Sequence, residues 1–141
     1  MLKNFKESLA SPKGKRNFVI FSLIFAVLWL IEGALLYVSN DRGSGLSEGL
    51  WCLVIMFATA PVVAILFGLF SYKVTKSIIF PNLCLFIFLV LFVSIPLSIV
   101  RSYGDYSVYE LLYSLIFAAA PSALSLVCSF VASIVLKSTR K

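Results

Sequence analysis

One carboxylate stands where lipid makes it costly. Glu32 lies inside an apolar run from Asn17 to Ser39. A charged group at such depth is expensive, and by default it marks a functional position. Two chemistries fit it. The first is an orienting ion pair, with Arg101 at the end of a later apolar run as the partner. The second is a proton- or cation-coupled site. Other reactive groups are sparse. The chain has no histidine, which removes the commonest proton shuttle and metal ligand. Its 3 cysteines, Cys52, Cys84 and Cys128, have no Cys-x-x-Cys spacing. There is no serine triad, no glycine-rich phosphate loop and no carboxylate pair within one frame. The reading is therefore no catalytic residue, no metal, no cofactor and no enzyme.

The elements that must position Glu32 follow from composition. Of 141 residues, 61% are hydrophobic and 13% charged, against about 45–50% and about 25% in soluble domains. Besides Asn17–Ser39, the runs Gly49–Tyr72, Ser77–Val100 and Leu111–Leu136 carry no charge at all. Each exceeds the roughly 20 residues a helix needs to cross the hydrocarbon. None alternates in polarity, as membrane strands do. The expected fold is all-α. A basic arm at 1–16 precedes one membrane domain at 17–141, with helices at about 17–39, 46–72, 77–100 and 108–136. Short connections pair these as two antiparallel hairpins.

Charge sets the expected orientation. Lys3, Lys6, Lys13, Lys15 and Arg16 precede the first run. Lys73 and Lys76 lie in the second connection, and Lys137, Arg140 and Lys141 in the tail. Thus ten of the 12 basic residues fall on one side. The other side holds Arg42 and Arg101, with Asp41, Glu48, Asp105 and Glu110. Basic residues in short loops mark the cytoplasmic face, so both termini are expected inside. The loop-poor compactness points to a bacterial inner membrane. The first apolar run is too long for a signal peptide and lacks an Ala-x-Ala site, so it reads as an uncleaved anchor. The net charge of +6 is then a topology signal, and no nucleic-acid partner is expected.

Finer features concern packing. Leu2, Phe5 and Leu9 share one helical face beside Lys3 and Lys6, which fits a short helix on the membrane surface; a frayed leader fits equally. Ser11-Pro12-Lys13-Gly14 breaks it. Ala60, Ala64 and Gly68 recur every four residues, as do Ser114, Ala118 and Ser122, then Ser125, Ser129 and Ser133. Small residues let membrane helices approach closely, so the second and fourth helices should form the centre. The third, rich in Phe and Leu, should face more lipid. Pro61 and Pro121 each remove a backbone donor and should kink their helices. Pro96 should kink the outer end of the third. Ala58-Thr59-Ala60-Pro61 and Ala118-Ala119-Ala120-Pro121 are alike, which fits either a duplicated hairpin or convergence.

Residues 58–76 carry a resemblance. Thr59-Ala60-Pro61-Val62-Val63-Ala64-Ile65-Leu66, running to Ser71-Tyr72-Lys73-Val74-Thr75-Lys76, resembles a segment of the immunity proteins for pore-forming colicins of the A and B type. Those also have four membrane helices with cytoplasmic ends. The outer loops here are shorter, and the last helix repeats the Ala-Pro pair. The resemblance implies a protein that binds the inserted helices of a toxin within the bilayer and blocks its pore. Thr59, Pro61 and Ala64 would shape the groove, and Asp41, Arg42 and Asp105 would meet the toxin from outside. Two other classes remain open. One is a small transporter or flippase using Glu32, working as a homo-oligomer. The other is an accessory subunit of a larger membrane complex.

Overall fold

The computed structural model describes residues 2–41, 50, 54–101 and 108–139. Among these residues all regular structure is helical. Helix α1 is Leu2–Ala10, α2 is Pro12–Asp41, α3 is Ala60–Thr75, α4 is Ile79–Leu89, α5 is Ile95–Arg101 and α6 is Val108–Ser138. Two π-helical turns, Ile55–Thr59 and Val90–Ser94, lead into α3 and join α4 to α5. The result is an all-α bundle in which four helical segments are long and apolar enough to cross a membrane: Pro12–Val38, Ile55–Thr75, Ile79–Ile99 and Leu111–Ser138. The chain is accordingly a multi-pass membrane protein.

The first spanning helix starts at Pro12, earlier than the apolar run. Ser11 caps it. The Ser11 hydroxyl accepts a hydrogen bond from Gly14 N–H at 3.0 Å, and Pro12 occupies the first helical position, where its missing donor costs nothing. Helix α1 is held to the bundle. Phe5 packs against Phe18 and Phe80, with ring centres 5.6 and 4.5 Å apart, and the Ser8 hydroxyl donates to Thr75 O at 3.2 Å.

Proline explains both π turns. Pro61 and Pro96 cannot donate to the preceding turn. Just before each, the backbone widens: Ala60 N–H reaches Ile55 O and Ile95 N–H reaches Val90 O, each five residues back. The chain thus places a widened turn at two of the positions where the sequence predicts plain kinks. Pro121 lies within the unbroken helix α6.

Helices α3 and α6 form the closest pair. Ala64 and Ala118 are fully buried between elements, as are Ser71, Ser125 and Ser129, and Ser114 and Ser122 are nearly so. At Gly68 the backbones nearly touch. A Cβ there would sit 2.3 Å from Ser125 O and 2.8 Å from Cys128 Cβ. Around this approach runs a buried hydrogen-bond network. Asn82, just inside α4, donates to Ile78 O at 2.6 Å and to Ser129 Oγ at 3.1 Å, and its carbonyl oxygen accepts from Ser125 Oγ. Ser129 Oγ lies 2.9 Å from Gly68 O and 3.0 Å from Ser125 O. The third segment is therefore not the lipid-facing outlier that its composition implies. Its most apolar stretch is 28% buried, equal to the first and fourth, against 22% for the second.

The turn between α3 and α4 is shorter than the hydropathy pattern indicates, because α3 continues to Thr75. The Thr75 hydroxyl donates to Ser71 O at 2.7 Å and accepts from Ser77 N–H at 3.3 Å. Lys76 takes the left-handed conformation at φ 54° and closes the helix through a bond from its N–H to Tyr72 O.

Two substitutions test this seam. Gly68→Val should lower stability by about 1–3 kcal/mol, the usual cost of overpacking. Asn82→Leu should cost about 0.6–1.7 kcal/mol, from the average to the maximum that double-mutant cycles give for interhelical bonds in a membrane. Unfolding by SDS titration from mixed micelles measures both, and an unchanged midpoint for Gly68→Val would contradict the close approach.

Candidate binding cavity around Glu32

Glu32 faces inward on α2, in the half of the bundle away from the basic turn at Lys76, and is 7% exposed. Two features place it. One residue on, Gly33 lets α2 approach the π turn of the third segment; a Cβ there would sit 3.1 Å from Val93 Cγ1. One turn earlier, Trp29 packs into the core with Phe21, Phe25 and Phe67. The carboxylate is thus carried on a well-packed helix, not on a loop.

The hydrogen-bond partner of Glu32 is Thr59, whose hydroxyl donates to Glu32 Oε2 at 3.0 Å. The same hydroxyl also donates towards Ile55 O at 2.7 Å, so its one proton is shared between the carboxylate and the carbonyl that anchors the π turn. The widened turn therefore presents Thr59 to the carboxylate across 27 residues of sequence. Among the described residues Thr59 is the one donor to Glu32, and a single neutral donor is little compensation for a carboxylate in apolar surroundings. Three residues before Glu32, the indole N–H of Trp29 is buried and has no hydrogen-bond partner among the described residues. Unsatisfied buried donors are rare in folded proteins and call for an explanation.

Residues Glu32 and Trp29 both line a cavity of about 380 Å³. Its wall comes from all four spanning segments, with Leu36, Ala60, Ser94 and Phe117 among its residues. Pro61 and Pro121 both line it, so the two Ala-Pro sites converge on one space. Its rim includes Phe57 and Ile116, which are 74% and 63% exposed. These residues lie within spanning segments, so the cavity opens sideways towards lipid. Its volume falls in the range of small-molecule and side-chain pockets, about 300–1,000 Å³.

The structure sorts the sequence candidates. Glu32, Thr59, Ala60 and Pro61 come together at this cavity or beside it. Ala64 does not. It is fully buried and so packs the bundle instead of shaping a groove for a partner. Gly68, Ser114, Ala118 and Ser122 lie along the seam. Asp41 and Arg101 end α2 and α5, and their side chains, with Arg42 and Asp105, lie outside the described residues; the proposed pairing of Glu32 with Arg101 does too. Two polar residues escaped sequence reading. Asn82 was signalled by an amide beside Pro81 in an otherwise apolar run. Trp29 was signalled by its spacing of three from Glu32. Among the described residues no group of acidic, cysteine or histidine side chains could hold a metal ion. Cys84 and Cys128 are free thiols.

Compared with protein-family models, with curated proteins and with solved structures, the chain matches none. Its class therefore rests on fold and site: a four-span membrane bundle with a laterally open cavity holding one buried carboxylate.

The Glu32–Thr59 contact has a measurable signature. Thr59→Val should lower stability by roughly 1 kcal/mol in the native background. In a Glu32→Leu background the same change should cost less, because no carboxylate is left unpaired. A double-mutant cycle in SDS titration reads this difference, and equal losses in both backgrounds would show that the hydroxyl serves only its own helix.

Proposed function

We propose that this chain is a polytopic protein of a bacterial inner membrane, with both termini cytoplasmic, that acts by binding within the bilayer and not by catalysis. Its partner is the membrane-inserted helical hairpin of a pore-forming bacteriocin, and its role is immunity. The supporting observation is the location of the Thr59-Ala60-Pro61 segment. These residues carry the resemblance to colicin immunity proteins. They also sit where the second span widens beside a cavity open to lipid. A toxin helix lying in the bilayer meets this opening from the side. Small residues and a proline there allow close contact, and no covalent step is needed. The charge asymmetry of the chain supports the orientation.

A second reading is favoured by the site chemistry. Glu32 is buried, has one neutral donor among the described residues and borders the cavity. These properties suit a small transporter or flippase in which Glu32 carries the coupled charge.

Protection assays separate the readings. Cells expressing the chain are challenged with pore-forming and non-pore-forming colicins while potassium efflux is followed. Immunity predicts protection against one pore-former, retained in Glu32→Gln and reduced about tenfold or more in tolerated dose by Pro61→Leu, which fills the wall of the cavity. Sensitivity to every toxin, with the protein present in the membrane, would overturn immunity. Transport predicts an activity that Glu32→Gln abolishes while insertion persists.

A further inference from the structure

A second pocket lies at the opposite, basic end of the bundle. It measures about 440 Å³ and is lined by Phe5, Lys6, Leu9, Ala10, Lys15 and Phe80. Three elements build it: α1, the first turn of α2 and the start of α4. Lys6 and Lys15 are nine positions apart in sequence, and the fold of α1 against the bundle brings both to one rim. Among the described residues no acidic side chain lines this pocket. Within residues 1–16 one carboxylate, Glu7, stands against five basic side chains.

The depth of this pocket identifies its environment. Lys15 falls in the opening turns of the spanning segment Pro12–Val38, and Phe80 is the second residue of the segment Ile79–Ile99. The pocket therefore lies where two helices enter the hydrocarbon. Lys6 and Lys15 are placed to reach the headgroup layer, with Phe5 and Phe80 on its apolar side. Lysine stems cover apolar surface while their ammonium groups reach for the polar layer. Helix α1 is fixed there by the contacts of Phe5 with Phe18 and Phe80 and by the bond from Ser8 to Thr75 O.

We infer that this pocket binds one anionic phospholipid, its phosphodiester between Lys6 and Lys15 and an acyl chain along Phe5 and Phe80. Charge complementarity selects the headgroup, and the apolar floor selects a lipid over a soluble anion. Basic pockets between membrane helices take anionic lipids by the same physics. The bound lipid would tie α1 to the membrane surface and to α4 together. This inference is independent of what occupies the Glu32 cavity.

Native mass spectrometry of the full chain in detergent, titrated with phosphatidylglycerol or phosphatidylcholine, tests it. The native protein should prefer phosphatidylglycerol by roughly thirtyfold, at about 1 kcal/mol per lysine. Lys6→Gln/Lys15→Gln should reduce that preference to about twofold or less. Lys6→Arg/Lys15→Arg should keep it, which guards against loss of fold in the first variant. Lys73→Gln/Lys137→Gln, which removes two charges outside the pocket, should also keep it. The inference is overturned if the pocket variant retains the full preference, or if both glutamine pairs lose it equally. It is also overturned if inorganic phosphate displaces the lipid at comparable concentration, which would assign the lysines to a soluble anion.

Discussion

A helix that crosses lipid must settle its polar groups inside the protein, because hydrocarbon offers no partner. The rest of this structure depends on that constraint. Backbone bonds within each helix meet most of it. The exceptions are the places where a proline removes a donor or a polar side chain points inward, and they organise the bundle. Pro61 and Pro96 are each preceded by a turn that reaches five residues back instead of four. Asn82 finds serines on α6. Ser129 finds the carbonyl of Gly68. Each settlement also joins one element to another, so the need for partners sets the geometry of the assembly.

The two halves of the molecule meet this need differently. Towards the basic end, small residues and hydroxyls pack α3 against α6 with most polar groups paired across the seam, the Ser77 hydroxyl being without a partner among the described residues. The fully buried side chains there are Ser71, Thr75, Ser77, Ser125 and Ser129, not large apolar ones. Towards the other end, widened turns and prolines hold the segments apart around a space. Glu32 has its Thr59 donor, and the Trp29 indole has no partner among the described residues. One half is closed largely by interhelical hydrogen bonds. The other leaves a cavity beside Glu32.

Much of the architecture was legible in the chain. Four runs without alternation leave helices as the only economical way across a bilayer, and the four-residue spacing of small residues pointed to the pairing of α3 with α6. The departures have physical causes. Lys13, Lys15 and Arg16 hid the first turn of α2, since hydropathy ignores that long basic stems are compatible with a helix entering lipid. Phenylalanine and leucine in the third segment masked Asn82, whose one amide outweighs many apolar neighbours in fixing which side faces in. The π turns were invisible, because proline announces a missing donor and not how the backbone responds. The pairing of Thr59 with Glu32 depends on that response, so the site could be suspected from Glu32 alone but not assembled.

The close approach at Gly68 has a mechanical consequence. With its backbone against Ser125 and hydroxyl bonds on either side, α3 cannot slide along α6 or roll over it without breaking several contacts together. Small angular movements of the spans therefore pivot about this point, and their amplitude grows with distance from it. The cavity at Glu32 lies on the far side of this point from Lys76, so its width is sensitive to a small rotation of the spans about the Gly68 contact.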